Sequence, residues 1–174
     1  AEYLNAGEKP VYFGFGSVFH DDEKNHFVNL IIEALRKSGC RGIIAGMGEI
    51  RNLPGHIFAV DNVPHTWLFP HCAAVCHHGG AGTAAAGFAA GVPSIIIPFS
   101  NDQFAWAHRA YDIGVGPKPV PKSRLTSASL ADAIRAASSE KVRLEAAKLG
   151  NNIAAENGAA DCARVIADLM ARTC

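Results

Sequence analysis

The sequence predicts an α/β fold, a doubly wound, Rossmann-like parallel sheet with helices on both faces. Short, almost wholly apolar runs alternate with longer segments in which apolar residues recur at helical spacing. Apolar runs that do not alternate with polar residues are typical of strands covered on both faces. One such run leads into a loop with three glycines in four residues, and a further helical segment follows. Repeated strand, loop and helix units of this kind build doubly wound sheets.

Length and composition predict a single domain that spans residues 1–174. The chain has 49% hydrophobic and 18% charged residues, enough apolar material for one good core. Its 16 basic and 16 acidic side chains balance, so no broad charged surface for nucleic acid or anionic lipid is expected. The longest apolar stretch, at 88–99, is interrupted by glycine and proline and is too short to span a bilayer. The start of the chain lacks a signal-peptide pattern, and we expect a soluble, cytoplasmic protein.

The first part of the chain contains three short strands and one long helix. The strands are predicted at residues 11–15, 43–45 and 57–60. The helix between the first two strands has its apolar residues at helical spacing: Phe27, Leu30, Ile31, Ala34 and Leu35. Acidic residues precede it, basic residues end it in agreement with the helix dipole, and Gly39 stops it.

The alternation continues through a central strand that begins at Ala74, a helix that Gly91 ends, and a strand at 94–98. The remaining helices are predicted at residues 103–112, 127–138, 140–156 and 159–172. The last of them carries an apolar stripe formed by Ala159, Cys162, Ala163, Ile166, Leu169 and Met170. We expect this stripe to pack on the chain's own sheet, and docking on another part of a larger protein is the alternative.

The five cysteines are scattered and odd in number, which favours reduced thiols over a disulfide framework. Cys72, Cys76, His77 and His78 superficially resemble a zinc site. Cys76 lies within the apolar strand, however, and adjacent histidines in a strand point to opposite sides. We therefore predict no metal site.

The glycine loop at 79–83 is the strongest chemical signal in the chain. Gly79, Gly80 and Gly82 allow positive φ and close approach of a ligand, so that several amide N–H groups can converge on phosphate oxygens. Thr83 adds a hydroxyl where the next helix starts, and the first amides of a helix have no partner within it. His78 supplies a further donor whose charge responds to a nearby phosphate. The loop therefore predicts a diphosphate site.

Two other interpretations of this loop remain open, and a third is excluded. A glycine-rich turn without a ligand is common. The looser form of the dinucleotide fingerprint is matched by Gly80, Gly82 and Ala85, and Asp102 lies about as far downstream as the acid that binds ribose. An NAD-binding oxidoreductase module is therefore a rival. A Walker A loop is excluded, because no lysine follows the last glycine.

The loops at 16–18, 62–67, 78–83 and 99–103 all follow predicted strands. In a doubly wound sheet the carboxyl ends of the strands share one edge, and ligands bind there. We therefore expect these loops to form one binding cleft.

In several motifs the chain resembles the C-terminal, donor-binding half of GT-B glycosyltransferases that use a nucleoside diphosphate sugar. It is most similar to the sterol glucosyltransferases of the UDP-glycosyltransferase superfamily. The motifs are PVYFGFGS at 10–17, VPHTWLF at 63–69, HHGGAGT at 77–83, AGVP at 90–93, PFSNDQ at 98–103 and DIGVG at 112–116. The fold that this resemblance implies is one half of a GT-B fold.

The resemblance implies a role for each candidate residue. The donor diphosphate would rest on the loop residues, which are His78, Gly79, Gly80, Gly82 and Thr83. Asp102 and Gln103 would contact sugar hydroxyls, and Ser17 would reach the diphosphate from the opposite side. The backbone around Val63, with His65 or Trp67 nearby, would form the wall that receives the nucleobase.

The resemblance further implies an inverting hexosyltransferase with UDP-glucose as donor and a sterol or other lipid hydroxyl as acceptor. A polyketide or other secondary metabolite is the alternative acceptor. No cofactor and no obligatory metal are expected. The catalytic base and the acceptor pocket would belong to an N-terminal half that is absent from this chain. We therefore expect the chain to bind the donor but to be inactive alone, and the full enzyme to associate peripherally with a membrane.

Overall fold

The sheet is built from five parallel strands in the part of the chain that the computed structural model describes, residues 2–16 and 21–173. The strand order is β3-β2-β1-β4-β5. The strands are β1 (Val11–Gly14), β2 (Gly42–Ala45), β3 (Ile57–Val60), β4 (Ala74–His77) and β5 (Ser94–Ile96). Each strand lies within two residues of its predicted position, because the buried apolar runs that predict the strands also form the sheet.

The described residues contain eight α-helices. They are α1 (Glu2–Asn5), α2 (Asp21–Ser38), α3 (His65–Leu68), α4 (Ala81–Ala89), α5 (Gln103–Asp112), α6 (Ser127–Ala137), α7 (Glu140–Ala155) and α8 (Gly158–Thr173). Local signals set several helix ends. Gly39 adopts φ +71° immediately after α2. Thr126 and Ser129 form a reciprocal capping box at the start of α6. The short helix α1 is not evident from the sequence pattern.

The strand order places a topological switch point between β1 and β4. From β1 the chain moves outward through β2 and β3, and it then crosses back to β4 and β5 on the other side. Gly14 at the end of β1 is in register with His77 at the end of β4. The loops after these two strands therefore diverge and leave a crevice at the carboxyl edge of the sheet.

Both faces of the sheet are covered, and the predicted doubly wound fold is confirmed. On one face, Phe13 and Ile44 pack with apolar residues of α2 and α6 such as Leu35 and Ile134. On the other face, residues of α3, α4, α5 and α7 cover the sheet in two further clusters. Along residues 2–16 and 21–173, no helix combines the length and the apolar character that crossing a bilayer requires.

Helix α8 does not pack on the sheet, and the expectation that it would do so is wrong. Every side chain described along residues 158–172 is exposed. The largest apolar ones, Val165, Ile166, Leu169 and Met170, are 53–64% exposed. The physical reason is that α2 and α6 already cover one face of the sheet, and α3, α4, α5 and α7 cover the other. Docking of the stripe on another part of a larger protein therefore stays a prediction.

Helix α4, which follows the glycine loop, is held from behind by α7. A Cβ atom placed on Gly150 of α7 would lie 2.6 Å from Cα and 2.7 Å from N of Gly91, which ends α4 with φ +66°. The contacting atoms are backbone on both sides and cannot move independently of the two helices.

We expect Gly150→Ala to lower the free energy of unfolding by about 2 kcal/mol, since overpacking outweighs the gain in helix propensity. Urea unfolding followed by circular dichroism measures this difference. Gly158→Ala is the matched control, because a Cβ at Gly158 meets no atom within 4 Å. Equal stability of the two variants would contradict the close approach of α4 and α7.

Candidate functional site

The glycine loop joins β4 to α4 at the switch point. Gly80 is the N-cap of α4, and no described side chain bonds to this end of the helix. The first intrahelical hydrogen bond is donated by the Ala84 amide to the Gly80 carbonyl at 2.9 Å. The amides of Ala81, Gly82 and Thr83 precede this bond, and Ala81 and Gly82 are exposed. These amides, together with the positive end of the helix dipole, have the chemistry to bind an anion.

Only glycine fits at position 79 of this loop. Its φ is +95°, a conformation that side chains disfavour. A Cβ atom there would lie 2.8 Å from Cγ2 of Ile96 and 3.2 Å from both Cβ and the carbonyl oxygen of Gln103. The loop is therefore pressed against the end of β5 and the start of α5.

His78 lies half-buried between the loops that follow β1 and β4. A Cβ atom on Gly80 would be 2.6 Å from its Nε2, and a Cβ atom on Gly16 would be 3.7 Å from its Cε1. Burial lowers the pKa of His78, and the negative charge of Asp102 opposes that shift. Its Nδ1 is buried and has no hydrogen-bond partner among the described residues. An anion bound at the loop would raise the pKa of this imidazole and would accept a hydrogen bond from it.

His77 is fully buried at the end of β4 and is directed away from the solvent. Its Nδ1 accepts a hydrogen bond from the Gly79 amide at 3.1 Å. Burial, and to a smaller extent the neighbouring His78 and His65, lower the pKa of His77 to about 3. His77 is therefore neutral at physiological pH, with its proton on Nε2.

The four residues that superficially resembled a zinc site do not converge. Cys72 and Cys76 belong to core clusters on opposite faces of the sheet. Burial raises the pKa of both thiols, that of Cys72 to about 12. Across residues 2–16 and 21–173 there is no group of three or more potential metal-ligating side chains.

Asp102 and Gln103 lie at the start of α5, beside the glycine loop. Asp102 is exposed and makes no capping bond to α5 among the described residues. The Gln103 Oε1 accepts hydrogen bonds from the amides of Phe99 at 2.8 Å and Ser100 at 3.2 Å. The carboxamide oxygen therefore orders the loop after β5, and only the amide nitrogen can contact a ligand without breaking these bonds. The sequence pattern did not reveal this second role.

Val63, His65 and Trp67 lie after β3, and the structure directs their side chains to different places. Nε2 of His65 is 3.2 Å from the Tyr12 hydroxyl, and its ring stacks on Phe69 with centroids 4.4 Å apart. Burial also lowers the pKa of His65. The side chain of His65 is thus bonded inside the domain, and the nucleobase wall that we predicted would use backbone atoms here.

Trp67 is 51% exposed and lines an apolar cavity of about 540 Å³ with Val63, Tyr3 and Phe58. None of the residues 78–83 lines this cavity. Trp67 therefore faces a cavity that the glycine loop does not line, whereas the other candidate residues described lie together at one edge of the sheet: His78, Gly79, Gly80, Gly82, Thr83, Asp102 and Gln103. Ser17 lies outside the described residues.

Comparison with known proteins agrees with this architecture. Residues 43–169 match the family model of the erythromycin biosynthesis protein CIII-like, C-terminal domain. A sterol 3-beta-glucosyltransferase of Arabidopsis thaliana is 43% identical over 163 residues, which cover 91% of this chain and 25% of that protein. One from Saccharomyces cerevisiae is 37% identical over 161 residues, which cover 86% of this chain and 13% of that protein. The chain thus spans a quarter or less of these curated relatives.

Solved structures show the same fold. The glycosyltransferase VinC in complex with dTDP superposes with a TM-score of 0.74 at 28% identity, over 89% of this chain and 40% of that one. The glycotransferase of kitacinnamycin has a TM-score of 0.79 at 22% identity, over 93% of this chain and 43% of that one. The fold is thus that of one half of the GT-B fold. The chain belongs to the erythromycin biosynthesis protein CIII-like, C-terminal domain family.

Proposed function

We propose that this chain is the donor-binding domain of an inverting glycosyltransferase, and that it holds the diphosphate of UDP-glucose at the glycine loop. The observation that carries the proposal is the exposed, uncapped start of α4 with the half-buried His78 beside it at the switch point. Backbone amides and an imidazole donor suit a diphosphate, and a doubly wound sheet binds its ligand at this place. The comparison with VinC, solved with dTDP, supports a nucleoside diphosphate as ligand.

The rival dinucleotide interpretation has less support. The glycines at 80 and 82 follow β4, the fourth strand in the chain, whereas the dinucleotide fingerprint follows the first strand. The family to which the chain belongs also does not favour an oxidoreductase.

The same residues account for catalysis of the leaving-group step. As the bond to the anomeric carbon breaks, negative charge grows on the departing diphosphate. The amides of residues 81–83, the helix dipole and His78 stabilise that charge without reorganisation. This mechanism requires neither a metal ion nor another cofactor. Asp102 and the amide nitrogen of Gln103 lie beside the loop and would bind sugar hydroxyls, and Ser17 would approach the diphosphate from the β1 side.

The acceptor in our proposal is a sterol or another lipid hydroxyl, as the names of the curated relatives suggest. A polyketide acceptor is the second candidate, favoured by the family's name and by solved neighbours such as the spinosyn forosaminyltransferase. The base that deprotonates the acceptor would belong to the other half of a GT-B enzyme, and this chain alone would be inactive. Docking of that half on the apolar stripe of α8, a cytoplasmic location and peripheral membrane association are part of the same proposal.

Calorimetric titration of the chain with UDP, UDP-glucose, dTDP-glucose and NAD tests the donor site. We expect UDP and UDP-glucose to bind, and His78→Ala to weaken UDP binding by about tenfold to a hundredfold, the loss of one hydrogen bond to a charged group. Thr83→Ala should weaken binding, and Thr83→Ser should restore it. His26→Ala, at an exposed position of α2, is the matched control. Binding of NAD without UDP, or an unchanged affinity for UDP in His78→Ala, would refute the proposal.

A further inference from the structure

His77 is a buried imidazole that the donor-binding roles above leave unexplained. It is the last residue of β4, in register with Gly14 of β1 and Ile96 of β5. The strand pairing places it on the same face of the sheet as Tyr12, whose hydroxyl fills the space above Gly14. The imidazole is therefore buried at the carboxyl edge of the sheet, where the loop begins, and does not line the solvent-accessible cleft.

We propose that His77 is a positioning residue for the diphosphate site. Its Nδ1 holds the Gly79 amide and so sets the direction of the amides that follow. The inference rests on the function proposed above and adds to it a residue that does not touch the ligand. The Gly79 amide points back into the protein at 3.1 Å from Nδ1, and the next residue, Gly80, is the N-cap of α4.

The chemistry of the site requires a neutral imidazole with an acceptor at Nδ1. Gly79 is itself buried, so that its amide would have no water partner if the imidazole were absent. An aliphatic side chain could fill the same volume but could not accept this hydrogen bond. The peptide would then turn toward solvent to find a partner, and it would carry the amides of the loop with it.

The other nitrogen of His77 shows that packing alone does not explain the residue. With Nδ1 accepting, the proton is on Nε2, which is buried and has no hydrogen-bond partner among the described residues. A buried, unpaired donor destabilises a fold, and a leucine would avoid it. The presence of an imidazole with one unsatisfied nitrogen therefore indicates that the bond to Gly79 serves the loop.

The test compares His77→Leu with His77→Asn, whose side-chain oxygen can occupy the place of Nδ1 and accept the same bond. We expect His77→Leu to weaken UDP binding by about fivefold to thirtyfold, the equivalent of one lost buried hydrogen bond. His77→Asn should stay within about threefold of the unmodified chain. Cys76→Ala, which alters the core on the opposite face of β4, is the control for a general loss of stability and should keep its affinity for UDP. Equal binding by the leucine and asparagine variants would overturn the inference.

Nuclear magnetic resonance of the unmodified chain provides a second measurement, which decides the matter even if His77→Leu does not fold. We expect the Gly79 amide to exchange with solvent more slowly than the exposed Gly82 amide, and the ¹⁵N shifts of His77 to show a proton on Nε2. Rapid exchange at Gly79, or a proton on Nδ1, would overturn the inference. If the unmodified chain binds no UDP, the proposed function fails, whereas the exchange and ¹⁵N results still report on the hydrogen bond.

Discussion

Gly79→Ala is expected to lower the free energy of unfolding by about 3 kcal/mol and to weaken UDP binding more than about tenfold. Two effects add. A side chain at φ +95° is strained, and its Cβ would press on Ile96 Cγ2 at 2.8 Å and on the Gln103 backbone at 3.2 Å. Relief of these contacts requires the loop to move away from β5 and α5, which displaces the amides that we assign to the diphosphate.

Urea unfolding and calorimetry with UDP measure the two effects separately. Gly55→Ala is the matched control, because Gly55 is exposed, lacks a positive φ and has no atom within 4 Å of its Cβ position. It should leave both stability and affinity close to those of the unmodified chain. If Gly79→Ala were as stable as Gly55→Ala, the packing of the loop against β5 and α5 would be wrong.

Lowering the pH from 7.5 to 4.5 is expected to reduce the free energy of unfolding by about 3 kcal/mol through protonation of His77 in the unfolded chain. The pKa of His77 is about 3 in the folded state and 6.5 as its ordinary value. Between these values the unfolded chain binds a proton that the folded chain does not. The contribution of His77 to the free energy of unfolding is therefore fully present above pH 6.5 and is lost as the pH falls toward 3. The groups that act on this imidazole, His78 and His65, are themselves basic and offer no counter-charge.

Urea unfolding at several pH values, for the unmodified chain and for His77→Asn, isolates this contribution. The carboxylates titrate in both proteins, so that only the difference between the two unfolding free energies reports His77. We expect the advantage of the unmodified chain to shrink by about 3 kcal/mol from pH 7.5 to pH 4.5. Parallel stability curves would show that His77 is protonated in the folded state, contrary to its burial and to its bond with Gly79.

The sequence pattern predicted the glycine loop and its place in the fold, because each signal there is local. An apolar run, glycines that allow positive φ and an alanine-rich segment occupy consecutive positions between Ala74 and Gly91. The sequence placed the start of this helix at Thr83, and the structure begins α4 two residues earlier, at Ala81, with Gly80 as its N-cap. These residues also carried the resemblance to glycosyltransferases that the family match confirmed.

Side-chain direction was harder to predict than position. His65 was placed near the nucleobase by its motif, yet its imidazole is bonded to Tyr12, which lies 53 residues earlier. Gln103 was assigned to sugar hydroxyls, yet its oxygen is bonded to the loop after β5. His77 was noticed as part of the HHGGAGT motif and of an unsuitable zinc pattern, but it received no role of its own. Its position two residues before a glycine is the one sequence signal that could have indicated its bond to Gly79.

By itself the sequence determined the alternation of strands and helices and the position of the glycine loop, since backbone periodicity and local conformational preference encode them, and its motifs indicated the family. The tertiary structure alone decided that β1 lies beside β4, that His78 lies between their loops, and that the apolar stripe of α8 stays exposed. The reason is physical. Strand order, side-chain partners and the covering of an apolar face depend on which distant elements meet, and no local pattern specifies that.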